Sequence, residues 1–184
     1  MMSRFVFSSI SIEPSVMERT LRLLGIINAG LWFGAGLFLT AVVGPGFFSV
    51  AVIDLVGRQN AGLIAQIILA KYFILQTVCV AIALILLSAR VQRWRCRHLG
   101  LLTFLAAILL LGGFWIQPRL IALNQTRYTL SLSQEKRDAA SRDFGRWHGV
   151  SQIGNLVVLL GSLVHFAVLA NTRSGSPNPR VNTP

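Results

Sequence analysis

Four stretches of this chain run for about twenty residues with almost no charge: Leu23 to Val43, Tyr72 to Ala89, Leu99 to Gln117, and Trp147 to about Thr172. The second belongs to a longer reach between Arg58 and Arg90 that is interrupted only by Lys71. About 20 helical residues cross a hydrocarbon core of roughly 30 Å. Inside lipid the backbone finds no water to bond, so spanning segments are helices or closed barrels, and the alternation of a barrel strand is absent here. The sequence therefore predicts an all-α integral membrane protein. Its four-transmembrane-helix bundle has spans of about 23–43, 66–89, 99–117 and 147–170 within one domain of residues 21–170. Composition agrees, since 12% of residues are charged and 54% hydrophobic, where a soluble domain carries about 25% charge. A soluble enzyme is excluded on that ground.

The sparse charge is mostly basic, with a formal net charge of +11 at pH 7. Arg90, Arg93, Arg95 and Arg97 crowd the short loop between the second and third spans. By the positive-inside rule that loop is cytoplasmic, and four spans then put both termini on the same side. The expected location is a plasma membrane or bacterial inner membrane, with anionic lipid headgroups as the partners of Arg90 to Arg97. No basic stripe with interleaved aromatic residues marks a nucleic-acid surface, so no nucleic-acid partner is expected.

Between the spans the chain is punctuated. Gly44-Pro45-Gly46 is expected to end the first helix, and Phe47 to Val56 forms a short extra apolar segment closed by Asp54 and Arg58. Residues 59–89 suit one helix longer than a bilayer needs, with Lys71 snorkelling or facing the bundle. The third span is expected to end at Trp115 to Arg119, where Trp115 suits an aromatic belt. Ser131 with Gln134 resembles a capping box; it opens a polar, charge-mixed helix, Gln134 to Arg146, that leads into the fourth span. Residues 1–20 read as a disordered extension before the first span, with Met17 as an alternative start, and residues 171–184 as a disordered tail. Gly30-x-x-x-Gly34 has the spacing that lets helices approach closely, within the bundle or in a homo-oligomer. Cys79 and Cys96 form neither a disulfide framework nor a metal motif.

The fourth span holds the informative pattern. Phe144, His148, Ser151, Gln152, Asn155 and Ser162 fall within one arc of about 100° on a helix otherwise built of Leu, Val and Ile. Polar groups at such depth face a partner or a cavity. Asn28 and Trp32, Gln66 and Gln76, and Thr103 on the other spans are available to meet them. Two readings stay open. Interhelical hydrogen bonds fix the bundle's register, or a small solute, ion or metal binds at an intramembrane site around His148, Ser151, Asn155 and Asn28. A haem or quinone redox protein is a further alternative, with His98 and His165 as the candidate axial pair. His148 has no evident second metal ligand, so neither a metal centre nor a cofactor is expected. No acid lies inside a span and no nucleophile with a base and orienter can be assembled, so an enzyme is not expected and no catalytic residue is assigned.

The run Phe144-Gly145-Arg146-Trp147-His148-Gly149-Val150-Ser151, followed by Asn155-Leu156, resembles a signature of the transmembrane protein 205-like family, also called domain of unknown function 4149. Trp115-x-x-Pro118-Arg119 is similar to that family's element at the end of its third span. The resemblance implies a four-helix integral membrane protein with no assigned reaction. It makes Phe144, Arg146, Trp147, Gly149, Pro118 and Arg119 motif residues and carries the family's histidine, serine and asparagine onto His148, Ser151 and Asn155. These three also lie in the arc that helical spacing selects.

Overall fold

The computed structural model describes residues 16–88 and 95–171 of the chain. Among them no strand occurs, and four helical stretches are long and apolar enough to cross a membrane: Val16–Phe47, Val50–Ser88, His98–Tyr128 and Gln134–Asn171. The chain is an integral membrane protein by this architecture. In element order it runs α1 (Val16–Phe38), a π turn (Leu39–Val43), α2 (Gly44–Phe47), α3 (Val50–Ser88), α4 (Arg95–Leu111), a second π turn (Gly112–Ile116), α5 (Gln117–Tyr128) and α6 (Gln134–Asn171).

Each span packs on its sequence neighbours, α1 on α3, α3 on α4 and α4 on α6, and α1 meets α6 to close the ring. The end of α6 returns to the start of α1, where an Arg22 guanidinium N–H donates to the Ala170 carbonyl at 3.4 Å. The dry centre is Trp32, Cys79, Val80, Ala83, Leu87, Leu102, Leu105, Leu109 and Val158. Outward positions are as apolar as the core, with Leu31, Ile67, Ile85 and Ile153 all more than half exposed, because the outer surface meets acyl chains rather than water. With lipid as apolar as the interior, close packing and interhelical hydrogen bonds are what hold the helices together. The closest approach is at Gly161, where a β-carbon would stand 2.6 Å from a methyl of Leu105. Gly30 packs on Phe166, whereas a side chain at Gly34 would meet nothing, so within one copy the pair does not form a close approach.

Two expected helix ends are not ends. The first span continues through Pro45 to Phe47, and the third continues through Pro118 to Tyr128. A π turn lies just ahead of each proline, with the Gly44 N–H bonded to the Leu39 carbonyl and the Gln117 N–H to the Gly112 carbonyl, five residues back. Proline lacks an amide donor and its ring crowds the carbonyl four residues earlier. The widened turn lets the helix absorb both problems without stopping.

The extra apolar segment after the first span is present as the opening of α3, broken from the long helix at Gly57 (φ 78, ψ 153). That conformation is open essentially to glycine alone. The polar extension before the fourth span runs without interruption into it as α6. Its start is not a capping box: the Gln134 side chain donates to Asp138 at 2.9 Å and accepts from Arg137. Residues 16–20, assigned to a disordered extension on sequence grounds, are the first turn and more of α1. Residues 1–15, the arginines at 90 and 93, and residues 172–184 lie outside the described residues.

Candidate functional site

A cavity of about 410 Å³ opens between the first π turn, α3, the α4–α5 stretch and α6. It lies toward the end of the bundle away from the Arg22–Ala170 contact, and its size is that of a pocket for a small organic molecule. His148, Ser151 and Asn155 all line it, as do Phe144 and Gln152. Spacing of three and four residues along α6 puts them on one face, which borders the open cavity with Phe144, Ser151 and Asn155 half-buried and His148 and Gln152 exposed.

The stripe is internally engaged at its upper end. Phe144 and His148 stack with rings 9° from parallel and centroids 5.7 Å apart, and a ring nitrogen of His148 shares a hydrogen bond with Gln152 at 3.2 Å. Asn155 Nδ2 donates across the helix boundary to the Thr40 hydroxyl at 2.9 Å. Thr40 belongs to the first π turn, so the irregular turn ahead of Pro45 also supplies the fourth span's polar partner. Ser162 is buried but bonds back to the Leu159 carbonyl.

Asn28 does not join these residues. It is buried on the core side, where its Nδ2 donates to the Cys79 carbonyl at 2.9 Å. One helical turn away, Trp32 Nε1 donates to Gln76 Oε1 at 3.0 Å. These two bonds hold α1 to α3, and only Gln76 of the four groups borders the cavity.

The motif residues divide. Trp147 lies under the Arg119 guanidinium at 4.7 Å from ring centroid and meets Trp115 edge to face at 5.0 Å. The element at the end of the third span and the signature on the fourth therefore touch. Pro118 follows the second π turn. Arg146 faces away and pairs with Asp143 at 3.5 Å. A side chain at Gly149 would meet nothing, so the fold of one copy gives no packing reason for glycine there.

Several lining groups escape the sequence reading. Asn124 is 1% exposed, and neither its Nδ2 nor its Oδ1 has a hydrogen-bond partner among the described residues. A buried polar group left unsatisfied costs about 1–3 kcal/mol, so this amide at the cavity wall calls for a partner from within the cavity. Arg127 stacks over Phe144 at 4.0 Å and over Tyr128 at 4.7 Å, and Arg58 borders the same space. A signal for α5 was available: Gln117, Leu120, Asn124 and Arg127 recur at three and four residues, one inward helix face. It was hidden because Pro118 was read as a helix end.

The described residues bring together no group of three His, Cys, Asp or Glu side chains, and the neighbours of His148 are an amide and a ring. His98 and His165 do meet at one small cavity, beside Gly25 and Leu87, but its volume of about 20 Å³ leaves no room for a porphyrin. His165 instead stands edge-on to Trp32, with centroids 6.4 Å apart.

Residues 27–129 match the family model described as a domain of unknown function, DUF4149. The match takes in Trp115, Pro118 and Arg119 and stops before Phe144. An uncharacterized protein of Aquifex aeolicus (strain VF5) is 31% identical over 146 residues, which is 79% of this chain and 94% of the relative. No solved structure matches. With four membrane-crossing helices, and a relative matched over nearly its whole length, this chain belongs to the DUF4149 family of membrane proteins.

Proposed function

We propose that this protein is a small membrane module that binds, and by doing so holds or passes, a small organic solute in the cavity lined by His148, Ser151 and Asn155. The observation that carries the reading is the roughly 410 Å³ cavity whose wall includes the buried, unpartnered amide of Asn124. A polar group in that state is stabilised by an incoming donor or acceptor, and few other features of a helix bundle supply one. The reading is of a binding module rather than an enzyme, since the lining offers no nucleophile and base oriented toward each other. A metal is not the favoured ligand, because His148 is surrounded by Phe144 and Gln152.

The arginine-rich stretch Arg90 to Arg97, whose last three residues open α4, supports a cytoplasmic placement of that end of the bundle, with anionic headgroups against it. The meeting of Arg22 with Ala170 supports both termini lying on one side. The cavity would then open toward the outer half of the membrane.

The test is native mass spectrometry of protein extracted in mild detergent, comparing the wild type with Ser151→Phe, which puts a bulky ring into the cavity and narrows it. A small-molecule adduct present on the wild type and lost in the folded variant is the expected result. Identical spectra, with no adduct on either, would count against the proposal. A second reading, in which the stripe only sets helix register as part of a scaffold, draws on the Asn155–Thr40 bond. It requires Asn155→Leu to alter thermal stability or oligomer size and Ser151→Phe to change no bound mass.

A further inference from the structure

Resting on the reading of a solute-binding cavity, we infer that its ligand is an anionic amphiphile, with a carboxylate or phosphate head held by Arg58 and Arg127 and a hydrocarbon chain along the apolar wall below them.

The register of α3 against α5 brings the two arginines toward one end of the cavity. Gln117 donates to the Gln66 carbonyl at 3.4 Å, and two turns further along α5 the Asn124 amide lies against Gly62, where a β-carbon would stand 3.7 Å from both of its polar atoms. The helices are antiparallel along this contact, so Arg127, further along α5, and Arg58, earlier on α3, lie toward the same end of the cavity. The break at Gly57 starts the long part of α3 at this point. Both arginines line the cavity, and no Asp or Glu does.

Neither arginine is neutralised within the fold. Among the described residues neither Arg58 nor Arg127 forms a salt bridge. Arg127 is positioned by ring faces, those of Phe144 and Tyr128, and its Nε has no hydrogen-bond partner. Stacking holds a guanidinium by its face and leaves its in-plane N–H donors aimed outward. A rigid fork of donors of this kind suits a carboxylate or a phosphate. Asn124, one turn below, adds an unpartnered amide donor.

Below the arginines the α3 and α4 walls are mainly apolar, with Gln66 and Tyr72 as the polar members on α3 above Gln76. From Arg58 to Gln76 the lining follows α3 for about 27 Å at 1.5 Å per residue, past Leu69 and Phe73, with Leu109 and Val158 opposite. Gln76 at the bottom is already engaged by Trp32. A slot with two arginines at one end and mainly apolar α3 and α4 walls, beside the polar stripe of α6, matches a molecule with a charged head and a hydrocarbon chain. A free inorganic anion would use only the upper end.

Binding to the detergent-purified full chain should be measured for three probes: lysophosphatidate, the uncharged monoacylglycerol of the same chain, and inorganic phosphate. The expected result is lysophosphatidate tighter than monoacylglycerol by about tenfold or more, a difference near 1.4 kcal/mol in binding, with inorganic phosphate failing to compete at comparable concentration. Arg58→Gln, at an exposed position, should remove most of that preference by weakening lysophosphatidate far more than monoacylglycerol. Arg127→Gln should act in the same direction. Equal affinity for the charged and uncharged amphiphiles, both lost in Ser151→Phe, overturns the anionic head while the solute-binding cavity stands. Competition by inorganic phosphate as strong as by lysophosphatidate overturns the amphiphile in favour of a free anion. No binding of any probe, with Ser151→Phe indistinguishable from wild type, overturns both readings.

Discussion

The Arg119 guanidinium lies over the Trp147 indole, 4.7 Å from the ring centroid. The two residues come from different helices, α5 and α6, and the contact joins the end of the third span to the signature on the fourth. Trp115 closes on the same indole edge-on. None of the three residues lines the cavity, but Trp147 lies directly before His148, which does.

Arg119→Gln should therefore loosen α5 from α6. A cation–π contact contributes about 0.5–2 kcal/mol depending on its exposure, so thermal unfolding in detergent should show a loss in that range. Trp147→Leu should cost more, because it also removes the contact with Trp115. A double-mutant cycle that returns no coupling energy between Arg119 and Trp147 would sink this account.

Gly57→Ala tests the break in α3. A β-carbon there would meet no atom, so space is not the obstacle. Its φ of 78 with ψ 153 is nearly closed to other residues, and holding alanine there costs about 1–3 kcal/mol. A stability loss of that size is expected in denaturant or thermal unfolding, together with weaker ligand binding if Arg58 shifts. An unchanged midpoint would show that the break is not held by backbone geometry.

At Asn124 stability and binding should move in opposite directions. Asn124→Leu removes two buried polar atoms that have no partners, and each unsatisfied group costs about 1–3 kcal/mol. The ligand-free protein should become more stable while affinity for the cavity's ligand falls. If the substitution destabilises the ligand-free protein by several degrees in a thermal melt, the amide has a structural partner and the cavity reading weakens.

Asn155→Leu and Thr40→Val address the hydrogen bond that crosses from α6 to the first π turn. Interhelical hydrogen bonds in membrane bundles average about 0.6 kcal/mol, so each single change should be mild and the pair should not be additive. Additive losses, measured by unfolding of both singles and the double, would mean that the bond contributes nothing.

Much of the bundle was legible along the chain because the bilayer imposes a local rule. An uncharged run of sufficient length must form a helix, so the four spans, the short segment ahead of Arg58 and the polar lead into α6 could be read directly. The helical arc on α6 likewise selected Phe144, His148, Ser151 and Asn155, and all four line the cavity. Prolines were misread because their local effect is to stop a helix, and that effect is absorbed here by π turns at Leu39–Val43 and Gly112–Ile116. This bears on the site: a third span ending at Trp115 to Arg119 leaves Asn124 and Arg127 beyond it, whereas α5 carries both to the cavity.

Other placements depend on distances between helices, which no spacing within one helix contains. Asn28 has the chemistry of a stripe partner, yet it bonds the Cys79 carbonyl because α1 packs its early turns on α3. Thr40 meets Asn155 across 115 residues of chain. The sequence by itself determined the solvent, the helices that solvent requires and the polar face of the fourth, since hydrophobicity and helical period are local properties. Only the tertiary structure decided that a cavity exists, that Asn124 is left without a partner among the described residues and that Arg58 and Arg127 border the same space, because burial and pairing are set by which faces of separate helices meet.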